Sequence, residues 1–204
     1  MTSRDLGSIS EEDRSGRLGG IALSKEERDA LRGIALASIR SGLAHHRPQE
    51  PAMSEVSSRL REPGATFVTL NLRGQLRGCV GSLEARRPLA EDVAKNAYSA
   101  AFGDPRFPPL SWEELADLEV HISLLSPLEP LLVRNRRALL ELLRPDVDGL
   151  VMEDPPHRAT FLPQVWGSLP EPENFLGELF LKAGLGRDHW SETVSFSRYS
   201  VYEF

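Results

Sequence analysis

The chain has 204 residues and a formal net charge of −6, values that fit one domain with a subdomain and disfavour general binding to phosphate backbones. Its single cysteine excludes an internal disulfide, a zinc finger and a cysteine-held iron–sulfur cluster within the chain. No apolar run approaches the roughly 18 residues of a membrane helix and no signal-peptide centre is visible, so we expect a cytoplasmic protein without a membrane segment.

The first elements in chain order are a tail and a helix. Residues 1–22 are poor in large apolar groups, and we expect them to be a disordered tail ahead of a single domain over residues 23–204. Ser24 and Glu27 form a capping box, which predicts an amphipathic helix directly after the tail. A weaker helical pattern follows over residues 54–60.

The hydrophobic pattern then changes from helical to strand periodicity. Alternation predicts strands over residues 67–72 and 76–80, joined as a hairpin by the short Gly74-containing turn, and a helix over 88–102. The remaining predicted elements are a short helix over 111–118, a strand over 120–124, a helix from past Pro130 to Leu143, strands over 149–153 and 158–162, a helix over 173–183, and a last strand over 193–202. Because strands and helices mix without a regular βαβ order, the sequence predicts an α+β fold.

Residues 74–81, with the sequence GQLRGCVG, are the most unusual segment of the chain. Strand alternation places Arg77, Cys79 and Gly81 on one face, so that the only thiol and a guanidinium point the same way. A neighbouring cation favours the thiolate, and glycines such as Gly78 leave backbone N–H groups open to a ligand. These features would suit an anionic or carbonyl-bearing small molecule. The alternative is that Cys79 is a small buried apolar residue and that the glycines mark a bulge.

Two further groups of residues are candidates for binding. Prolines stiffen the loop that carries Asp104 and Arg106, which either recognise a ligand or pair with each other and with nearby backbone. Asn96 lies close to the apolar stripe of its helix, where a buried amide needs either a ligand or a protein partner.

No metal or cofactor site is predicted. None of the five histidines has the spacing of metal ligands, and the glycines match neither form of nucleotide loop. His121 would reach Cys79 as a nucleophile–base pair only if their strands are neighbours; otherwise it is a half-exposed strand histidine.

Several ordered motifs resemble the AMMECR domain family. They include LRGCVG at residues 76–81, Asn96-Ala97, DPRFPPL at 104–110, ISLL at 122–125, LPQV at 162–165 and KAGL at 182–185. The resemblance spans about residues 24–204 and implies an α+β domain of two unequal subdomains, with a mainly antiparallel sheet, flanking helices and a cleft between the subdomains. The residues that match the family's motifs, and that the resemblance implies border this cleft, are Arg77, Gly78, Cys79, Gly81, Asp104, Arg106 and Phe107.

The resemblance also implies a biological setting. Prokaryotic members resemble component A of the AmmeMemoRadiSam system, whose other components are a Memo-like protein and a radical S-adenosylmethionine protein. We therefore expect an accessory, non-catalytic module that binds a small ligand or one of these partners in the cleft, because no general base or metal set is visible beside Cys79. The alternative is an enzyme in which Cys79 is a thiolate nucleophile or covalent carrier activated by Arg77, with Arg106 holding an anionic substrate. Binding to nucleic acid ranks last because of the negative net charge.

Overall fold

The computed structural model describes residues 23–204, and this part of the chain folds into five α-helices and ten strands. The strands form two four-stranded sheets and one two-stranded ribbon, all of them antiparallel. The prediction of an α+β fold with a mainly antiparallel sheet is confirmed. The predicted tail over residues 1–22 lies outside the described residues.

Most elements of the first half of the chain belong to one sheet and its helices. They are α1 (Lys25–His45), α2 (Ser58–Arg61), β1 (Pro63–Gly64), β2 (Thr66–Leu72), β3 (Gln75–Gly81), β4 (Arg87–Pro88), α3 (Leu89–Phe102) and β5 (Leu118–Leu125). The second half adds β6 (Glu129–Leu131), α4 (Arg136–Leu142), β7 (Gly149–Asp154), β8 (His157–Phe161), α5 (Pro172–Lys182), β9 (Ser195–Tyr199) and β10 (Val201–Glu203).

Local sequence signals account for the first helix and for the hairpin. The capping box at the start of α1 forms as predicted, because the Glu27 N–H donates to Ser24 Oγ and the Ser24 N–H donates to the Glu27 carboxylate. In the β2–β3 hairpin, Arg73 and Gly74 both have positive φ, of 52° and 75°. Two left-handed residues match the twist of the flanking strands, which explains the tight two-residue turn.

Four predicted elements differ from those observed. Residues 54–60 give only the single turn α2, and 111–118 give a 3-10 turn, Leu115–Asp117, in place of a helix. The helix expected past Pro130 begins only at α4, where Asn135 Oδ1 accepts from the Ala138 N–H and caps it. The predicted last strand is two strands, β9 and β10, which belong to different sheets.

The two large sheets define two lobes. In the first lobe the sheet order is β10-β5-β2-β3, and one sheet face packs on α1 and α3 around a core that includes Val68, Leu70 and Ile122. In the second lobe the order is β6-β9-β7-β8, and the core contains the buried residues of α5. A small apolar cluster that includes Leu125 and Tyr199 joins the lobes. The chain crosses back to the first lobe at Ser200, so α1 and β10, the first and last elements of the described residues, both belong to that lobe.

Candidate functional site

Strand β3 carries the candidate thiol and contains a β-bulge beside it. The register between β2 and β3 shifts after the pair Leu70 and Gly78, and Arg77 is left without a partner in β2. Because a bulge breaks strict alternation, the register no longer dictates that Arg77 and Cys79 share a face. The observed strand pairing therefore does not establish that Arg77 and Cys79 share a face, and the surroundings of each side chain follow from its own contacts.

The Arg77 guanidinium forms an ion pair with Glu114. Arg77 Nε lies 2.6 Å from Glu114 Oε1 and Nη2 lies 3.1 Å from Oε2, and the Arg77 side chain is only 10% exposed. Arg77 Nη1 is buried without a hydrogen-bond partner among residues 23–204. The guanidinium holds the pKa of Glu114 below its usual value, and the carboxylate in turn balances the charge of Arg77. The arrangement leaves Arg77 engaged with Glu114 rather than free to act on the thiol.

Cys79 is half-buried at the outer edge of the first sheet, because β3 is an edge strand. The Thr69 hydroxyl on β2 donates to Cys79 Sγ over 3.3 Å. The Cys79 N–H, which has no further strand beyond β3 to bond, donates to Asp104 Oδ2 over 3.0 Å. Both the sulfur and the backbone of Cys79 are thus held in place by polar contacts.

His121 is not a neighbour of Cys79. Strand β2 lies between β3 and β5, and Thr69 pairs with Cys79 on one side and with His121 on the other. Strands are about 4.8 Å apart, so the thiol and the imidazole are separated by roughly two strand spacings. His121 instead lies 3.9 Å from Glu119. The condition for a nucleophile–base pair is not met, and His121 is the half-exposed strand histidine of the alternative interpretation.

Asp104 and Arg106 form a bidentate ion pair within the proline-rich loop. Arg106 Nε lies 2.9 Å from Asp104 Oδ1 and Nη2 lies 2.6 Å from Oδ2, while the Arg106 N–H also donates to Oδ1. These bonds and that from Cys79 hold the pKa of Asp104 well below its usual value. The predicted alternative, pairing with each other and with nearby backbone, is what the structure has. Arg106 nevertheless keeps 54% of its side chain exposed, and its Nη1 makes no hydrogen bond within residues 23–204.

Phe107 lies between two guanidinium groups. The Arg106 guanidinium carbon is 5.4 Å from the centre of the Phe107 ring, and that of Arg77 is 5.8 Å away. Cations over an aromatic face are attracted by the electron-rich ring, so Phe107 helps to fix both side chains. Phe107 therefore stabilises the positions of the Arg77 and Arg106 side chains.

Lys182 is a site residue that sequence analysis missed. Its Nζ, at the end of α5 in the second lobe, donates to Thr160 O over 2.9 Å and lies 5.1 Å from the centre of the Phe161 ring. Burial of the ammonium group and the nearby charge of Arg106 lower the pKa of Lys182. The hydrogen bonds with Asp104 raise the pKa of Arg106.

The signal that marked Lys182 in the sequence was weak. A lysine in the last turn of an amphipathic helix is an ordinary complement to the helix dipole. The KAGL motif at residues 182–185 carried the family resemblance but pointed to no chemistry. Only the packing of α5 against the second sheet places this ammonium group beside Thr160 and over the Phe161 ring.

Gly78 and Gly81 have packing roles. A Cβ on Gly78 would lie 2.1 Å from the carbonyl oxygen of Ala100 on α3, and a Cβ on Gly81 would lie 2.2 Å from the ring of Phe67. The first glycine lets α3 approach the sheet and the second makes room for an aromatic ring that crosses the hairpin. Each glycine thus has a structural reason, and its contact with a ligand stays a prediction.

Asn96 belongs to a buried polar network. Its Nδ2 donates to Asp92 Oδ2 over 2.9 Å and to the carbonyl oxygen of Thr66 over 3.0 Å. Asp92 also accepts from Thr66 and Ser82 and pairs with Arg87, although burial raises the pKa of this carboxyl group. The amide therefore has protein partners, and its contacts connect α3 to the hairpin.

Comparison with known proteins identifies the family. The AMMECR1 family model matches residues 33–204, a range that includes Thr69, Cys79, Arg106 and Lys182. The chain belongs to the AMMECR1 family. The resemblance found in the motifs is thereby confirmed.

Similar AMMECR1-family chains come from archaea. A protein of Methanothermobacter thermautotrophicus is 40% identical over 169 residues, which cover 81% of this chain and 86% of that one. A protein of Aeropyrum pernix is 36% identical over 203 residues, covering 91% and 84%. The crystal structure of an uncharacterized protein from Pyrococcus horikoshii superimposes with a TM-score of 0.81 at 31% identity, covering 89% of this chain and 92% of that one.

Other features of this AMMECR1-family chain lie away from the thiol. A cavity of about 630 Å³ is lined by residues of α1, α3 and the segment between α1 and α2, among them His45, Arg47 and Lys95. Residues 23–204 hold no cluster of three or more potential metal ligands. Within the same residues, no helix has the length and apolar character needed to cross a membrane.

Proposed function

We propose that the protein is an accessory binding domain that takes a small anionic molecule beside Cys79. One observation carries this proposal: Asp104 Oδ2 accepts both from the Cys79 N–H and from Arg106 Nη2, so the half-exposed Arg106 guanidinium lies beside the strand that carries the thiol. Asp104 occupies Nε and Nη2 of Arg106 but leaves Nη1 free, and Lys182 lies close enough for the charge of Arg106 to lower its pKa. These two positive groups would favour an anion although the overall charge of the protein is −6.

The donors that would meet the anion are of two kinds. Arg106 has a free Nη1 on a half-exposed side chain, and its planar guanidinium suits a carboxylate or phosphate. Lys182 is fixed by Thr160 and Phe161, which lowers the entropy that it would lose on binding. We propose that the molecule bridges the two lobes between these donors, with the Cys79 sulfur beside it.

The proposed partners follow from the family resemblance alone. We propose that a Memo-like protein and a radical S-adenosylmethionine protein use the bound molecule or deliver it. Co-purification of the tagged chain with each of these proteins, followed by native mass measurement, tests the proposal. Failure to enrich either protein would contradict the partnership and would leave the anion site unaffected.

The anion site is tested by whether Cys79, the only thiol in the chain, reacts preferentially with a negatively charged reagent. Iodoacetate and iodoacetamide both alkylate thiolates with loss of iodide, but only iodoacetate carries a negative charge. In the native protein the ratio of the two rate constants for Cys79 should exceed the ratio measured after unfolding. Two unit charges about 6 Å apart interact by about 0.7 kcal/mol in water and about 3 kcal/mol at an effective dielectric of 20. For this partly exposed site we expect about 1 kcal/mol per cation, which is roughly fivefold in the ratio.

Lys182→Met is the informative variant, because it removes one charge and keeps an apolar stem against Phe161. The iodoacetate preference should fall about fivefold in this variant and should shrink further at high salt. Arg137→Gln is the matched control, since it removes one cation whose side chain is 89% exposed on α4. Equal preferences in the native protein, Lys182→Met and Arg137→Gln would refute the anion site.

A further inference from the structure

The cavity of about 630 Å³ on the first lobe is a second site, and its lining does not include Cys79. Its walls are the last turns of α1, the first turns of α3 and the segment between α1 and α2. Small-molecule sites commonly enclose about 300–1,000 Å³, so this cavity has room for an organic molecule rather than for a single ion.

Hydrogen bonds hold the three walls together. The buried Ser38 hydroxyl of α1 donates to the carbonyl oxygen of Ala94 on α3 over 2.7 Å and accepts from the Gln49 N–H of the segment over 3.4 Å. The Tyr98 hydroxyl of α3 donates to the carbonyl oxygen of His46, where the segment leaves α1. The cavity is therefore formed without a ligand, which lowers the ordering cost of binding.

The lining is rich in ionisable side chains that have no protein partner. These are His45, Arg47, Glu50, Glu91 and Lys95. Within residues 23–204, none of these side chains forms a hydrogen bond or an ion pair. Glu91 and Lys95 have the helical spacing and order that favour an ion pair. Arg137 and Glu141 have the same spacing in the less favourable order, yet they lie 2.9 Å apart. The charged groups of Glu91 and Lys95 therefore remain available to a ligand.

The charges of the lining select a class of ligand. With histidine counted as neutral, two cations, Arg47 and Lys95, are balanced by two carboxylates, Glu50 and Glu91. A simple anion would be attracted by one pair and repelled by the other, and the same holds for a simple cation. A molecule that carries a separate positive and negative group meets an opposite charge at each end.

We propose that this cavity binds a short peptide with free termini, its carboxylate at the two cations and its ammonium group at the two carboxylates. The apolar part of the lining, which would contact an apolar side chain of the peptide, consists of Pro48, Pro51, Met53 and Ala94. The Ser41 hydroxyl and the Gln49 amide also line the cavity and can bond the peptide group. A single amino acid has the same two charges but lacks the peptide group and fills less of the cavity.

Calorimetric titration of the whole protein with alanyl-leucine tests the proposal. We expect saturable binding that weakens at least about fivefold for the N-acetylated peptide, for the peptide amide and for free leucine, because each lacks one group that the lining would bind. Equal affinity for the three peptide forms would overturn the assignment of a zwitterion, and equal affinity for leucine would overturn that of a peptide. Absence of saturable binding up to about 10 mM alanyl-leucine would overturn the site itself.

Charge-removing variants test which end of the peptide meets which residue. Arg47→Gln should bind alanyl-leucine about fivefold more weakly and should leave the affinity for the peptide amide unchanged. Glu50→Gln should weaken alanyl-leucine and its amide equally and leave the N-acetylated peptide unaffected. Both side chains are exposed, so the Tm should stay near the native value. Arg40→Gln, also exposed on α1 but outside the lining, is the matched control. An Arg47→Gln variant that binds every form as the native protein does would overturn the assignment of its cation to the carboxylate.

The cavity and the anion site proposed beside Cys79 share no residue, so the two proposals can fail separately. Cys79→Ser should bind alanyl-leucine with native affinity. Alanyl-leucine should in turn leave the iodoacetate preference of the native protein unchanged. Loss of alanyl-leucine binding in Cys79→Ser at native Tm would overturn the location of the peptide in this cavity.

Discussion

The ion pair between Arg77 and Glu114 gives a quantitative test of what Arg77 does. Arg77→Met leaves the Glu114 carboxylate with the Ser111 N–H, which donates to it over 2.8 Å, and removes its cation. Breaking a buried pair by removing one partner costs about 3–5 kcal/mol. Glu114 is 23% exposed, so water can solvate part of the freed carboxylate, and we expect a cost of about 2–3 kcal/mol.

Thermal unfolding measures this cost. For a chain of this size each kcal/mol corresponds to roughly 2–4 °C, so the Tm of Arg77→Met should fall by about 5–10 °C. The double variant Arg77→Met/Glu114→Gln should lose less than the sum of the single variants, because neither charge is then left without a partner. Because Nη1 of Arg77 already lacks a hydrogen bond, its removal offsets part of the cost in both variants that lack Arg77.

Alkylation of Cys79 in the same variant decides between two roles. If Arg77 only supports the loop that contains Glu114, Arg77→Met alkylates at the native rate at temperatures well below its Tm. If Arg77 activates the thiol, as the strand alternation suggested, the rate falls below that of the native protein. A loss of unfolding free energy of less than about 1 kcal/mol together with slower alkylation would refute the structural role derived from the contacts.

Three further outcomes are expected. Hydrogen bonds from Thr193, His189 and Ser191 lower the pKa of Asp154 to about 2. The pKa of an aspartate in the unfolded chain is about 3.9, so the ionised Asp154 carboxylate stabilises the fold above about pH 4. This stabilisation is lost as the pH falls from about 4 to 2. In acid titrations Asp154→Asn should therefore lose less stability over that window than the native protein. Gly78→Ala should destabilise the protein, because the new Cβ would meet a backbone carbonyl oxygen. Gly33→Ala in α1 should stabilise the protein by about 0.5–1 kcal/mol, because its Cβ meets nothing within 4 Å. Equal Tm values for these two variants would contradict both expectations. Asn96→Ala should lower the Tm and leave the iodoacetate preference of Cys79 unchanged.

The local elements of the fold were predictable because their causes lie within short stretches of sequence. The capping box at Ser24 and the turn at Gly74 depend on neighbouring residues, and both form as predicted. The helix expected after Ser111 forms only as a 3-10 turn, although the Glu114 carboxylate accepts from the Ser111 N–H as a capping box requires. The same carboxylate also binds Arg77, 37 residues away, a contact that the local pattern does not encode.

The sequence by itself determined the fold class, the family and the position of the single thiol within an unusual motif. Tertiary structure decided what surrounds that thiol. The bulge at Arg77 and the intervening strand that separates Cys79 from His121 depend on register, and the position of Lys182 beside Thr160 and Phe161 depends on packing. These relations join residues that are tens of positions apart, and no periodicity in a one-dimensional pattern encodes such a distance. The chemistry proposed for Cys79 therefore depends on the way in which the two sheets are placed together.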